Sequence, residues 1–318
     1  MLNDYRERLK NGKMPIRPTL RKCGTVAEHV VEATPVVWQG KLLRFEWVRT
    51  AAWGVGHLDR TEGYYHFVDM ETEEEVGKPF AFAHSFGCAY EEDGVMYVHG
   101  VRGSDGGTNI IDVLWSRDLC EWQCKTALVL DDDLRIYNTS VCRGEDGYAM
   151  TVEVAGPEAK VGVPFTVFFA TSPNLLEWTL LPVDKHIFLR ERYTACPSIR
   201  YYNGWYYIVY LERLPCHRWT PYIVRSRDLA TFEAGQKNPF MMFDDTDKRP
   251  LRENLFDASA LERMQNAVNC NNSDVDFCDF AGRTVILYSW GNQLGTEYLA
   301  VAEYDGSLQE LLESYFES

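Results

Sequence analysis

The chain has 318 residues and a formal net charge of −15, with 46% hydrophobic, 25% charged and 14% aromatic residues. An acidic balance without a Lys/Arg run argues against a nucleic-acid partner, which needs a basic stripe. No stretch approaches the roughly 20 apolar residues that span a bilayer, so no membrane partner is expected.

In chain order, the polar start MLNDYRERLKNGK predicts one short helix over Asp4–Lys10 and no secretory leader, which places the protein in the cytoplasm. Five weak repeats follow. Each opens on small and polar residues, turns at a Gly and continues into an aliphatic–aromatic strand: EATPVVWQGKLLRFE, SFGCAYEEDGVMYVHG, NTSVCRGEDGYAMTVE, ACPSIRYYNGWYYIVYLE and SDVDFCDFAGRTVILYSW. The turns Gln39-Gly40, Asp93-Gly94, Asp146-Gly147, Asn203-Gly204 and Ala281-Gly282 predict tight hairpins, three of them with the Asp-Gly or Asn-Gly that suits type I′. Three closings, LWSRDLCEWQ, FATSPNLLEWTLL and IVRSRDLATFE, share a Ser, an Asp or Asn to bond the turn backbone, and a Leu with an aromatic to plug the gap between units. A spacing of roughly 50 to 75 residues suits four-stranded blades.

The fold class is therefore all-β: a single five-bladed β-propeller with short helical insertions, its blades at about 28–75, 80–130, 134–185, 190–240 and 268–306. One insertion, DASALERMQNAV, has a capping-box pattern at Ser259 and Glu262, with Leu261, Met264 and Val268 on one face. The tail LQELLESYF is a short amphipathic helix or a last strand. The nine Cys form no CxxC pair. They read as free thiols in a reducing compartment, and neither zinc nor any other cofactor is indicated.

The SRDL-type closings and the PSIRYYNGWYYIVY run of the fourth unit resemble the five-bladed propellers of glycoside hydrolases of the arabinanase–xylosidase and invertase–levanase type. The likeness covers about Glu32 to Tyr304 as blade architecture. It implies a funnel at one end of a central channel, a carboxylate from the first blade, a second acid from a middle blade and a general-acid Glu before a Pro in the fourth. The sequence departs at each point. Thr34 precedes Pro35 where the family shows Asp, with Glu32 two residues earlier. Asn138 or Thr139 stands for the middle acid, and Ala195-Cys196-Pro197 carries no Glu.

Glycoside cleavage needs one protonated and one ionised carboxyl facing one point. Inner-strand positions near the funnel offer Glu32, His84, Asn138, Tyr193, Thr194, Asn272 and Asp274. Glu46, Glu153 and Glu212 each end an apolar second strand. They are either desolvated acids or members of ion pairs between blades. Asn272, Asp274 and Asp276 share a face by alternation, either for substrate or for a self-bonded bend. The expected catalytic set is Glu32 or Asp274 as the ionised group, with Glu212 ahead of Glu153 as the acid. His84, Asn138, Tyr193, Trp219, Asn272 and Trp290 are the expected substrate-binding residues. His217, Arg218, Trp53 and His57 are further candidates on loops, balanced against plain packing. The GSDGGTN loop (103–109) lacks the setting of a phosphate cradle. The expected function is exo-hydrolysis of a small oligosaccharide or glycoside. The alternatives are phosphorolysis, with Arg49, Arg102 or Arg218 holding the anion, and a non-catalytic sugar-binding propeller.

Overall fold

A computed structural model describes residues 17–49, 63–103 and 107–316. The Asp4–Lys10 helix, Trp53 and His57 lie outside these residues, as does part of the 103–109 loop.

Strand β1 (Arg21–Glu28) is followed by the first four-stranded meander, β2 (Thr34–Trp38), β3 (Lys41–Val48), β4 (Tyr64–Asp69) and β5 (Glu75–Phe80). The second comprises β6 (His84–Glu92), β7 (Val95–Arg102), β8 (Ile110–Ser116) and β9 (Gln123–Val129). The third is β10 (Arg135–Gly144), β11 (Gly147–Ala155), β12 (Thr166–Ser172) and β13 (Thr179–Leu180), with β14 (Ile187–Phe188) also paired to β12. The fourth is β15 (Thr194–Tyr202), β16 (Trp205–Leu214), β17 (Arg218–Ser226) and β18 (Glu233–Ala234). The last has β19 (Ser273–Phe280), β20 (Arg283–Gly291) and β21 (Glu297–Tyr304), and takes β1 as its outer strand. The first strands β2, β6, β10, β15 and β19 touch in sequence around a ring, and β19 returns to β2. This is a five-bladed β-propeller.

Local chemistry sets these blades. Gln39-Gly40, Asp93-Gly94, Asn203-Gly204 and Ala281-Gly282 all have positive φ at both residues, as a type I′ turn requires. In the third blade Gly144 pairs with Gly147, so the turn lies one residue earlier, at Glu145-Asp146. In the closings, Ser116 Oγ accepts the Leu119 N–H at 2.9 Å and Asp118 Oδ1 accepts those of Cys120 and Glu121. Ser226 with Asp228, and Ser172 with Asn174, repeat the pattern. Each turn holds a buried Leu (Leu119, Leu175, Leu229) in left-handed backbone. Leu175 O accepts from His99 of the preceding blade at 2.9 Å, which ties neighbouring blades together.

The first blade begins at β2 and not near residue 28, and Arg21–Glu28, which ends at the expected start of the first blade, completes the fifth. Its burial there is anchored by Lys22, whose ammonium lies 2.7 Å from the fully buried Asp247. Tyr288 and Asn272 also donate to Asp247, at 2.8 and 3.1 Å. Helix α1 (Glu158–Val161) sits in the third blade, α2 (Ala258–Asn266) between the fourth and fifth, and α3 (Leu308–Ser314) in the tail. The N-cap of α2 is Asp257 and not Ser259, because Asp257 accepts the Ala260 N–H; Val268 lies beyond the helix and is 65% exposed. The full capping box belongs to α3, at Ser307 and Glu310. All nine Cys are free thiols. No helix among the described residues is long and apolar enough to cross a membrane.

Candidate active site

The site is built by bulges. In four inner strands the ladder to the second strand slips by a residue at the same height: Phe86-Gly87, Tyr137-Asn138, Cys196-Pro197 and Asp274-Val275 lie in the slips. Glu32 and Ala33 stand just ahead of β2 at the matching place. Glu32, Phe86, Cys196 and Asp274 all have φ between 50° and 58°, a conformation that costs a non-glycine residue roughly 1–2 kcal/mol. A bulge re-aims its side chain. Here it turns side chains off the sheet and into the channel. Gly87 has φ +113°, and a Cβ there would stand 2.8 Å from His99 O, so the second blade contributes no side chain at that point.

These residues ring a narrow neck lined by Glu32, Gly87, Asn138, Cys196 and Asp274. The neck opens into a cavity of ≈ 380 Å³, walled by Phe86, Tyr137, Phe165 and Tyr193 and carrying Glu32, Glu153, Asp274, Glu297 and Arg49. That volume is within the range of small-molecule sites, about 300–1,000 Å³.

The carboxyls differ by environment. Glu153 Oε2 accepts the Cys196 N–H at 2.7 Å and Asn138 Nδ2 at 3.0 Å. Burial outweighs both bonds, and the charges of Glu32 and Asp274 add to it, so its pKa is pushed up to about 8. Burial likewise raises Glu32 to about 7, against the Arg49 guanidinium 2.8 Å from its Oε2. Glu297 Oε1 accepts the Gln293 N–H at 2.7 Å, and burial with the charge of Asp274 raises this group to about 7. Desolvation therefore holds Glu153 protonated at neutral pH. The Cys196 thiol is pushed far up by burial and by Asp274, which leaves it uncharged.

No family model matches the chain, and no curated protein does. Solved structures do. A BT0996 RGII complex matches at 12% identity and TM-score 0.63, covering 95% of this chain and 96% of its counterpart. A glycoside hydrolase matches at 13% and 0.62, with 93% and 94% covered. The GH43 endo-arabinanase from Bacillus licheniformis matches at 9% and 0.55, with 88% and 96% covered. The chain shares its fold with these structures.

Within this propeller, Glu32, Glu153, Asp274, Asn138 and Tyr193 meet at the cavity as expected residues. Others are placed elsewhere. Glu212 is absent from the cavity lining. It pairs with Thr194, two residues beyond the Tyr210 that faces the Cys196-Pro197 bulge, so it is not the positional equivalent of Glu153. Its Oε1 takes Tyr210 OH at 2.7 Å and Arg192 at 3.0 Å. Glu46 belongs to a buried ion cluster with Arg44 and His66, which holds its pKa down at about 2 despite burial. His84 bonds Asp112 at 3.0 Å, and Arg102 clamps the same carboxylate at 2.6 and 2.7 Å. With Cys124 this is the group of metal-type ligand atoms that gathers among the described residues, and Arg102 already neutralises it. It lies apart from the cavity lining.

Asn272 does not share a face with Asp274 and Asp276. The bulge between Ser273 and Asp276 breaks the alternation. Asn272 turns to Asp247 and Lys22, and Asp276 binds Arg200 at 2.7 Å. Trp290 is fully buried, stacked on Tyr298 at 4.4 Å and donating to Thr25. Trp219 packs in an apolar cluster with Ala195, Leu211 and Cys270. His217 meets Trp219 edge to face and reaches Asn292 O at 3.0 Å, while Arg218 lies over Phe243. Sequence reasoning missed Glu297. It is the first residue of β21, in LGTEYLAVAEY, and the signal available was a Glu placed directly before the apolar run Tyr298–Ala302.

Proposed function

We propose that the protein is a glycoside hydrolase acting in the ≈ 380 Å³ cavity on the end of a small oligosaccharide or glycoside. One observation carries this reading: Glu153 and Asp274 line the same cavity, and burial keeps Glu153 protonated. Glu153 donates its proton to the glycosidic oxygen as the C–O bond breaks. Asp274 supplies the ionised carboxylate at the anomeric carbon, and water completes the hydrolysis. Asn138 and the Cys196 N–H fix the Glu153 carboxyl, and Glu32, tied to Arg49, stands beside the pair. A cavity narrowing to a neck supports attack at a chain end rather than along an open groove. Arabinan-type substrates are the first to try, because two of the neighbouring structures are arabinanases by name.

Phosphorolysis is disfavoured, because four carboxyls surround one arginine among the described lining residues and a phosphate would face repulsion. The binding-module reading keeps one support: Ala195, fully buried where related propellers place their acid. The test is turnover of arabino- and xylo-oligosaccharides and nitrophenyl glycosides by Glu153→Gln and Asp274→Asn, with folding checked by circular dichroism. Each variant is expected to lose roughly 100- to 10,000-fold. Near-parent turnover in both overturns the assignment, and sugar binding without any turnover replaces the hydrolase with a binding propeller.

A further inference from the structure

Asp274 shares its cavity with three other carboxyls, Glu32, Glu153 and Glu297. Carboxyls crowded at one site resist ionising together, so something must single out the one that works as an anion. The donors differ. Glu153 is met by a backbone N–H and the Asn138 amide, Glu297 by the Gln293 N–H and Glu32 by the Arg49 guanidinium. Asp274 Oδ2 accepts the hydroxyl of Ser273, the residue before it, at 2.7 Å.

That bond exists because of the bulge. Along a regular strand consecutive side chains point to opposite faces and do not meet. Ser273 still pairs regularly, with Ser289, and the next pair in the ladder is Asp276 with Leu287. Asp274 enters the slip at φ 50°, which brings its carboxylate within reach of the hydroxyl. Ser273 itself is 1% exposed and lines neither the neck nor the cavity. It stands behind Asp274 on the regular part of the sheet.

The hydroxyl is oriented in turn. Gln293 lines the cavity, and its Nε2 donates to Ser273 Oγ at 3.4 Å. Its backbone N–H is spent on Glu297, so the side chain alone serves Ser273. The donors run one way, from amide to hydroxyl to carboxylate. A hydroxyl that accepts on its oxygen has one proton to give, and such chains polarise toward the final acceptor. A donor on one carboxylate oxygen sets the plane of the group and favours its charged form.

Resting on the hydrolase reading of this cavity, we infer that Ser273, oriented by Gln293, is a positioning residue that holds Asp274 ionised and turned toward the anomeric carbon. It acts through Asp274 and touches no substrate. The acid and its partner are thus set up by opposite means: burial for Glu153, a hydroxyl donor for Asp274.

The experiment measures kcat and KM of the full chain on nitrophenyl and dinitrophenyl arabinosides and xylosides. A hydrogen bond to a charged group is lost in Ser273→Ala, so kcat is expected to fall roughly 10- to 100-fold, with KM within about twofold of the parent. The loss is expected to be alike for both leaving groups. Glu153→Gln is expected to recover with dinitrophenol, which leaves without a proton. In an Asp274→Asn background, Ser273→Ala is expected to cost no more than about twofold further, because its effect passes through the missing carboxylate. Gln293→Leu keeps the backbone N–H and removes only the outer donor, so a smaller fall of roughly 2- to 10-fold in kcat is expected. Circular dichroism checks each fold, and Gln293→Leu carries the test if the buried Ser273→Ala does not fold. Parent-like kcat, a loss carried in KM, or full additivity with Asp274→Asn overturns the inference and leaves the hydrolase standing. Parent-like turnover in Asp274→Asn, or no turnover by the parent, fails the hydrolase reading first and the positioning role with it.

Discussion

Glu153 sits in a strand whose neighbours are apolar, and its two hydrogen bonds do not offset the loss of water around it. An acid whose pKa is raised by folding favours the folded state in its neutral form. Its contribution is complete below its ordinary value of 4.5 and is lost as pH rises toward about 8. Stability to denaturant is therefore expected to fall between about pH 5 and pH 8, and Glu153→Gln is expected to flatten that slope by on the order of a few kcal/mol. A slope unchanged in the variant would count against a buried, protonated Glu153. Glu32 and Glu297 titrate in the same interval, so the variant reduces the slope without abolishing it. For turnover the sign is the same on the alkaline side, since a general acid works only while protonated. The rate is expected to decline as pH passes about 8, as a macroscopic value of coupled carboxyls.

At the scale of elements, what the sequence makes legible is what short-range chemistry decides. Four type I′ turns and three Ser–Asp/Asn closings are written in adjacent residues, and they mark most of the blades. The bulges are not so written. Asn272, Asp274 and Asp276 alternate perfectly in the sequence, yet a single slipped residue sends them to three different partners. Glu153 and Glu212 both end apolar runs and still do not share a place, because Glu153 faces the bulge of its blade while Glu212 lies two residues beyond the Tyr210 that faces the next. Strand β1 was hidden for another reason: its partner β21 lies about 270 residues away, and RKCGTVAE has no marked alternation. Its anchor can be tested. Removing Lys22 leaves Asp247 buried without its cation, and Lys22→Met is expected to cost about 3–5 kcal/mol in chemical denaturation. The double variant Lys22→Met/Asp247→Asn is expected to recover part of that loss. If the single variant is as stable as the parent, β1 is not held by this pair.

At the scale of the molecule, five sheets meet at one axis, and the cavity is the place where the inner strands of four blades depart from regularity and Glu32 stands just ahead of the remaining one, β2. The fifth blade is made from both parts of the described chain, with β1 lying against β21. Glu297 opens β21, and its backbone oxygen accepts the N–H of His29, the residue just after β1. Glu32 follows three residues later, and Asp274 belongs to the same blade. Three of the four carboxyls thus stand on either side of the clasp. A nascent chain emerging from the ribosome would carry Glu32 and Glu153 long before Asp274 and Glu297 existed. The cavity can take shape only when the last blade is synthesised and the early strand is captured. Half-made copies would have no working pocket, and assembly of the ring and appearance of the site would be one event.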